Sequence, residues 1–397
     1  MTMGILKIAL RELKYISGNK RMLLVMCGIP FLYILLFGIM YSPHVVKNMK
    51  TAVLDYNNTA SSRSIIQGFK DSEKFQIIAQ VTSEAELRRM MENREITAGI
   101  VIPDDLDAKL KTGEGSKVLL IINGTNMMFS NSVVSAANEI VGTFSAGASI
   151  KTLESGGVLP GKATPTAVPI SYSIRVWYNP TFNYMNFLIL GLAGTTIQQI
   201  VLLYVAISLA REKDLGTIKE LTHYNAFQVV FGKLMVYFVI NMLSANLVYY
   251  LCFSYFQVPF RGTILTFELL LSAFFLAIMG LGVMLSSICK NELEATQIAM
   301  LVAVPSFLFS GFTWPAQAMP PMAQAISAAL PLTYFVSDVR DIALMGIDLY
   351  QVLPSIYTLL KMTAIFLPVA LWLIHRQLKK ATVKTVVEGK PKVTPGL

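Results

Sequence analysis

The side chains most often recruited for chemistry are sparse here and badly spaced for it. His44, His223 and His375 are too scattered to hold a metal. Cys27, Cys252 and Cys289 lie in or beside apolar runs, with neither metal spacing nor a disulfide framework, and read as small buried apolar residues. No Ser/His/Asp set, carboxylate pair or Cys/His cluster has a defensible spacing, so no catalytic residue and no metal ligand is assigned. One segment imitates a nucleotide site: Gly156 to Lys162 nearly spells a phosphate-binding loop. Ala163, however, stands where that loop needs a hydroxyl for Mg²⁺. Pro160, Pro165 and Pro169 also deny it the strand before and the helix after. The chain is therefore expected to bind no cofactor and to carry no ATPase of its own.

The elements available to position any site are mostly membrane-spanning. The 397 residues are 54% hydrophobic and 14% charged, with mean hydropathy +0.56. Soluble proteins average about 45–50% apolar and 25% charged. Six apolar runs are long enough to cross hydrocarbon, which takes about 20 residues: Met22 to Tyr41, Asn186 to Leu209, Val230 to Phe253, Phe267 to Cys289, Ala295 to Phe312 and Leu353 to Ile374. The first lacks a small-residue cleavage site after Tyr41 and reads as an uncleaved signal anchor. With the amino terminus inside, sixteen lysines and arginines fall in cytoplasmic pieces, and only Arg261 and Arg340 in the two short outer loops. That asymmetry places both termini in the cytoplasm. The net charge of +9 is accounted for by this distribution, and no nucleic-acid partner is implied.

The resulting plan begins with an amphipathic interface helix (1–21), on which Ile5, Ala9, Leu13 and Ile16 share a side and Lys7, Arg11 and Lys14 face away. The first span (22–41) and an extracytoplasmic α/β domain with its linker (42–185) follow. That domain alternates strands at Thr51 to Leu54, Phe75 to Ala79, Ala98 to Ile102 and Lys117 to Ile122 with helices at Ser62 to Phe69, Ser83 to Glu92 and Asn131 to Phe144. A five-helix membrane domain (186–374) and a basic tail (375–397) complete the chain. The fold class is thus an α-helical integral membrane protein of six spans with an inserted α/β domain. Within the spans Lys361 stands out, because an intramembrane lysine is a functional candidate by default. The preferred reading has the sixth span start late, with Lys361 at the outer headgroups. The missing chain of buried carboxylates argues against a proton-driven carrier.

Between the second and third spans lies a charged island, Arg211 to Lys233, in which Leu215, Ile218 and Leu221 fall on one side of a helix. Its residues REKDLGTIKEL and then FGKL resemble the first cytoplasmic loop of the type-2 ABC exporter permeases, with Arg211, Glu212, Gly216, Thr217, Leu221, Gly232 and Lys233 on the pattern. Asp214 stands where the family often has Glu. A second block, Ser310 to Gly346, resembles the family's S-G-x-x-x-P…M-P and P-L-T-Y-x-x-x-x-x-R segments, and YNP at Tyr178 to Pro180 is a weaker match.

The resemblance implies a permease subunit that dimerises with itself or a paralogue and is driven by a separate ATP-binding subunit holding ATP and Mg. The coupling loop would be 211–228, with Arg211, Glu212, Gly216, Thr217, Glu220 and Leu221 meeting the motor: Glu212 by its charge, Gly216 as a position where a side chain does not fit. Pro315, Pro320, Pro321 and Pro331 break the segment after the fifth span, so an outer re-entrant segment (313–350) is expected near the mouth of the path. Its gate candidates are Ser310, Gly311, Pro315, Met319, Pro320, Pro331, Tyr334 and Arg340. The substrate would be lipophilic or amphipathic (a drug, lipid or lipid-linked glycan) and the location a bacterial inner membrane. Membrane lipid is a further partner, and the outer domain is open to a cell-envelope partner. The alternative is a non-transporting sensor or scaffold built on the outer domain.

Overall fold

The computed structural model describes residues 2–42, 47–112, 115–124, 127–157 and 177–388. Its contacts divide into two units, residues 1–44 with 177–397, and residues 45–176.

The larger unit is all helical. Helix α1 (Thr2–Gly18) ends at Asn19, whose side chain accepts from the Met22 amide and starts α2 (Lys20–Tyr41). A π-turn at Leu24–Gly28 precedes Pro30. Proline cannot donate to the carbonyl four residues back. That carbonyl, Met26, instead accepts from the Ser244 hydroxyl at 3.2 Å. The later elements, numbered after those of the smaller unit, are α7 (Tyr184–Asp214), a 3₁₀ helix (Thr217–His223), α8 (Ala226–Tyr255), α9 (Ile264–Ile288), α10 (Glu292–Phe309), α11 (Pro321–Ala328), α12 (Pro331–Met345) and α13 (Leu349–Glu388). Six of these helices, α2, α7, α8, α9, α10 and α13, are long and apolar enough to cross a membrane. Their starts are capped by short polar side chains where water would meet them: Asn183 on α7, Asn225 with Gln228 on α8, Thr263 on α9 and Asn291 on α10. Helices α7 and α9 are mostly buried and form the centre, while α2, α10 and α13 turn most of their surface outward. The core between α7, α8, α9 and α12 is aromatic: Phe274 and Phe335 stack with centroids 4.1 Å apart, and Tyr249 meets Phe267 edge-on.

The smaller unit is a four-stranded sheet of order β2-β1-β3-β4, from β1 (Met49–Asp55), β2 (Phe75–Val81), β3 (Ala98–Ile102) and β4 (Leu119–Ile122). The first three strands run parallel and β4 antiparallel to β3. Helices α3 (Ala60–Asp71), α5 (Leu106–Thr112) and α6 (Met127–Ser155) supply Ile65, Phe69, Leu106 and Val133 to one face, against Val53 and Ile100. Helix α4 (Glu84–Glu92) covers the other with Leu87, against Ala52, Leu54 and Val101. The central strands β1 and β3 are therefore covered on both faces, as inner strands of a parallel sheet require, while on the edge strand β2 Gln76, Ile78 and Gln80 are exposed.

The structure corrects several expectations. On α1 the buried side is Ile8, Ala9, Glu12 and Ile16, whereas Leu13 is exposed. The expected stripe followed the apolar residues and missed a buried carboxylate. The charged island is not one amphipathic helix. It is the end of α7, a turn at Leu215 and Gly216, and a 3₁₀ helix, with Leu221 buried and Leu215 63% exposed. The segment after α10 is broken, as its prolines imply, into a pair of helices parted at Pro331, and α12 packs in the core through Leu332, Phe335, Val336 and Val339. The last helix starts at Leu349 and runs on through the basic residues Arg376 to Lys384, so the first part of the basic tail is helical. Pro160 to Pro169 lies outside the described residues.

Candidate functional site

Three elements converge where α7 ends. Gly232 on α8 brings α1 in close: a Cβ there would sit 2.8 Å from Ile8 Cβ and 2.9 Å from the Ile5 carbonyl oxygen. At that contact Glu12 enters the interior. Its carboxylate accepts from Arg211 (2.8 Å), from Lys233 (2.5 Å) and from the Tyr237 hydroxyl (2.9 Å). Glu212, one residue along α7, accepts from Lys233 at 2.8 Å, from Thr217 at 2.5 Å, and from both Arg11 terminal nitrogens at 3.0 Å each. Arg11 also donates to Glu220 on the 3₁₀ helix at 3.1 Å. The Arg211 guanidinium lies over the Tyr15 ring, 3.6 Å from its centroid.

The cluster balances three cations, Arg11, Arg211 and Lys233, against three carboxylates, Glu12, Glu212 and Glu220. Lys233 spends its third donor on the Ser208 carbonyl, so a buried ammonium is fully satisfied. Burial pushes the Glu12 carboxyl up, but Lys233 and then Arg211 outweigh it and hold it below the usual carboxylate range. Buried pairs add little net stability, yet removing one member strands the others. Such a network favours one geometry over many, which suits a rigid joint.

A second tie holds the end of α7 to α9. Lys213 donates to the Ser286, Ser287 and Cys289 carbonyls at 2.9, 3.0 and 2.7 Å, filling the open acceptors at the end of α9. The Ser286 hydroxyl accepts from the Leu209 and Ala210 amides, each at 3.1 Å. Gln377 of α13 donates to the Ser287 carbonyl. One end of α7 is thus fastened to α1, α8, α9 and, through α9, to α13.

Of the coupling candidates, Arg211, Glu212, Thr217, Glu220 and Leu221 come together here. Glu212 is 2% exposed, so its charge serves the interior joint and cannot be what meets another protein. Gly216 has φ +72°, and no other part of this chain lies within 4 Å of where a Cβ would be, so the chain's own fold does not exclude a side chain there. Glycine is needed there for the left-handed turn. The exposed part of this surface is Asp214, Leu215, Lys219 and Glu220. Glu12, Arg11, Tyr15 and Tyr237 escaped the sequence reading. A glutamate set among lysines on an apolar-faced helix was the available signal for Glu12.

The gate candidates form a separate group at the α10–α12 corner. Ser310 donates to the Phe307 carbonyl and accepts from the Phe312 amide, and Gly311 turns at φ +80°. Pro315 precedes a short 3₁₀ turn (Ala316–Ala318), Met319 is buried, Pro320 stands before α11 and Pro331 opens α12. Tyr334 donates to the Ala328 carbonyl at 2.9 Å. Arg340 lies 5.2 Å from both the Phe187 and the Phe312 ring centroids. Beside it Asp338 accepts from Ser337 at 3.2 Å, while its Oδ2 is buried without a hydrogen-bond partner. At the start of α7 the YNP segment folds on itself, Asn179 pairing with the backbone of Asn183 in both directions at 3.0 Å.

Six membrane-length helices, an amphipathic helix locked to the second and third of them, and a proline-broken segment after the fifth are the plan of a multi-pass membrane protein. A family model described as "ABC-2 family transporter protein" matches residues 20–372, and the chain belongs to that family. Among its relatives is the probable multidrug ABC transporter permease YbhR of Escherichia coli K12, 26% identical over 321 residues, covering 80% of this chain and 84% of that protein. The inner membrane transport permease YhhJ of the same strain is 22% identical over 380 residues, covering 93% and 96%. The probable multidrug ABC transporter permease YbhS is 30% identical over 180 residues, covering 45% of this chain and 48% of that protein.

Proposed function

We propose that the chain is the membrane subunit of an ATP-driven exporter in a bacterial inner membrane. It pairs with a second copy or a paralogue and is driven by a separate subunit that binds ATP and Mg. Its substrate is lipophilic or amphipathic and leaves from the cytoplasm or inner leaflet. Both termini are cytoplasmic and the unit of residues 45–176 is outside, in line with the lysine and arginine asymmetry.

The observation that carries this reading is the buried ion-pair joint around Glu12, Glu212 and Lys233. A motor on one side of a membrane can move a gate on the other only through a stiff connection with two stable positions. Here the exposed turn Asp214 to Glu220 is the handle, and the cluster welds it to α1, α7 and α8. ATP binding pushes on that handle and the helices move as one.

The test is a mild-detergent pull-down of the tagged full chain from its own membranes. A stoichiometric ATP-binding subunit should be recovered, and it should be lost on replacing Asp214 and Leu215 together by Lys and Ser. With Lys233→Met the ATPase should bind but transport should fail, because the joint loses its central cation. Recovery of the chain alone, or with envelope proteins only, would overturn the exporter reading in favour of a sensor or scaffold.

A further inference from the structure

The expectation that Lys361 sits at the outer headgroups does not survive its place on α13. Helices α9 and α13 run side by side in the same direction. A Cβ at Gly280 of α9 would lie 3.4 Å from Phe366 Cβ and 3.8 Å from the Leu367 amide, with Thr363 Cα at 4.0 Å. Further along, Gln377 reaches the Ser287 carbonyl. Gly280 is therefore level with about residue 365, and Lys361, four residues back, is level with about Leu276. Leu276 stands midway along the 25-residue α9. A second ruler agrees. The Arg376 guanidinium lies 3.8 Å from the centroid of Trp372, a pairing suited to the headgroup level. Lys361 is eleven residues from Trp372, about 16 Å along the helix, or half of a hydrocarbon core of about 30 Å.

At that depth Lys361 is exposed, and so are its neighbours on the same face, Tyr357, Leu360, Ile365, Val369 and Trp372. A lysine side chain cannot reach the headgroups from the middle of the bilayer, and an ammonium facing hydrocarbon is costly. A negatively charged group packed against it would relieve that cost. The described residues of a second copy offer no match. Glu268 lies near one end of α9 and hydrogen-bonds Asn246, Glu292 and Glu294 open α10, Asp338 and Asp341 are partly buried on α12, Asp348 stands before the first turn of α13, and Glu12, Glu212, Asp214 and Glu220 lie at the far end of α7. What remains complementary to an apolar face bearing one cation is a small molecule with an apolar body and an anionic head.

We propose that the exposed face of α13 around Lys361 binds the anionic head of an amphipathic molecule at the middle of the membrane. This rests on the transport reading above for its purpose, and it narrows the substrate class to amphipathic anions carrying a carboxylate, phosphate or sulfate.

The test uses the full chain in nanodiscs of zwitterionic lipid, without any ATPase. The probe is a palmitate carrying a diazirine near its carboxylate, with its methyl ester as the uncharged control. After illumination, peptides of residues 357–372 are read by mass spectrometry. The acid should label them about tenfold more than the ester, the worth of one charge-assisted hydrogen bond. Lys361→Gln should abolish that preference and Lys361→Arg should keep it. Equal labelling by acid and ester, or a preference that survives Lys361→Gln, would overturn the proposal. Efficient cross-linking of Lys361→Cys to its copy in a second chain would overturn it too, since the face would then be a dimer contact. Labelling needs no motor, so recovery of the ATPase without selective labelling sinks this inference alone. Selective labelling without any ATPase sinks the exporter reading alone.

Discussion

Single residues in this chain are constrained for reasons that differ from position to position. Gly216 is held by backbone conformation, since φ is +72° and a Cβ would meet nothing within 4 Å. Asparagine tolerates that region far better than a β-branched residue does. Gly216→Asn is therefore expected to stay within about 1 kcal/mol of the parent in detergent thermal unfolding, and Gly216→Val to lose more than Asn does. Equal damage by both would mean that the turn tolerates no side chain. Asp338 is constrained by its surroundings. Burial pushes its carboxyl up to about 6, against the partial relief offered by the Ser337 hydroxyl. A raised carboxylate pKa means that the folded state holds the proton where the unfolded state has released it. The stability it carries is present at low pH and lost as pH rises from about 4 through about 6. Thermal unfolding between pH 4.5 and 7 should show that loss, about 2 kcal/mol after discounting for partial exposure, and Asp338→Asn should remove the slope. A slope unchanged in the variant would assign it to another group.

Elements are where sequence and structure part most instructively. The six spans were legible because twenty apolar residues in a row have few other uses, and the strands because β1 and β3 sit among turn residues. The coupling segment was legible by its residue types but not by its shape. Periodicity suggested one helix through Leu215, whereas Gly216 ends α7 and starts a 3₁₀ turn. The joint itself was hidden, because Glu12 and Lys233 are more than two hundred residues apart and no local pattern pairs them. What local sequence did carry was Gly232 beside Lys233, a small residue next to a charge on an otherwise apolar helix. Its role is to admit α1, so Gly232→Leu should push α1 off α8. Ala9 is 4% exposed in the docked helix. A cysteine at position 9 should resist maleimide in the parent and react readily in the Gly232→Leu background. Protection in both would mean that α1 is held by the ion pairs alone.

At the scale of the whole molecule, the two units solve different solvation problems. The helical bundle turns leucines such as Leu243, Leu265, Leu301 and Leu308 outward, which only lipid or a partner can cover. The unit of residues 45–176 instead covers its central strands on both faces, with Val53, Phe69, Ile100 and Ile102 fully inside. Its outer surface carries salt bridges such as Arg88 with Glu92 and Lys111 with Asp107. A segment that buries its own core and wets its own surface needs no bilayer to fold. Residues 47–157, expressed alone, should therefore be soluble and unfold in one cooperative transition, with urea curves from circular dichroism and tryptophan-free near-ultraviolet signals coinciding. Non-coincident curves, or binding of a hydrophobic dye at neutral pH, would mean that this unit borrows its stability from the helices. Coincident curves would make it a module that can be exchanged or deleted while the bundle's joint stays intact.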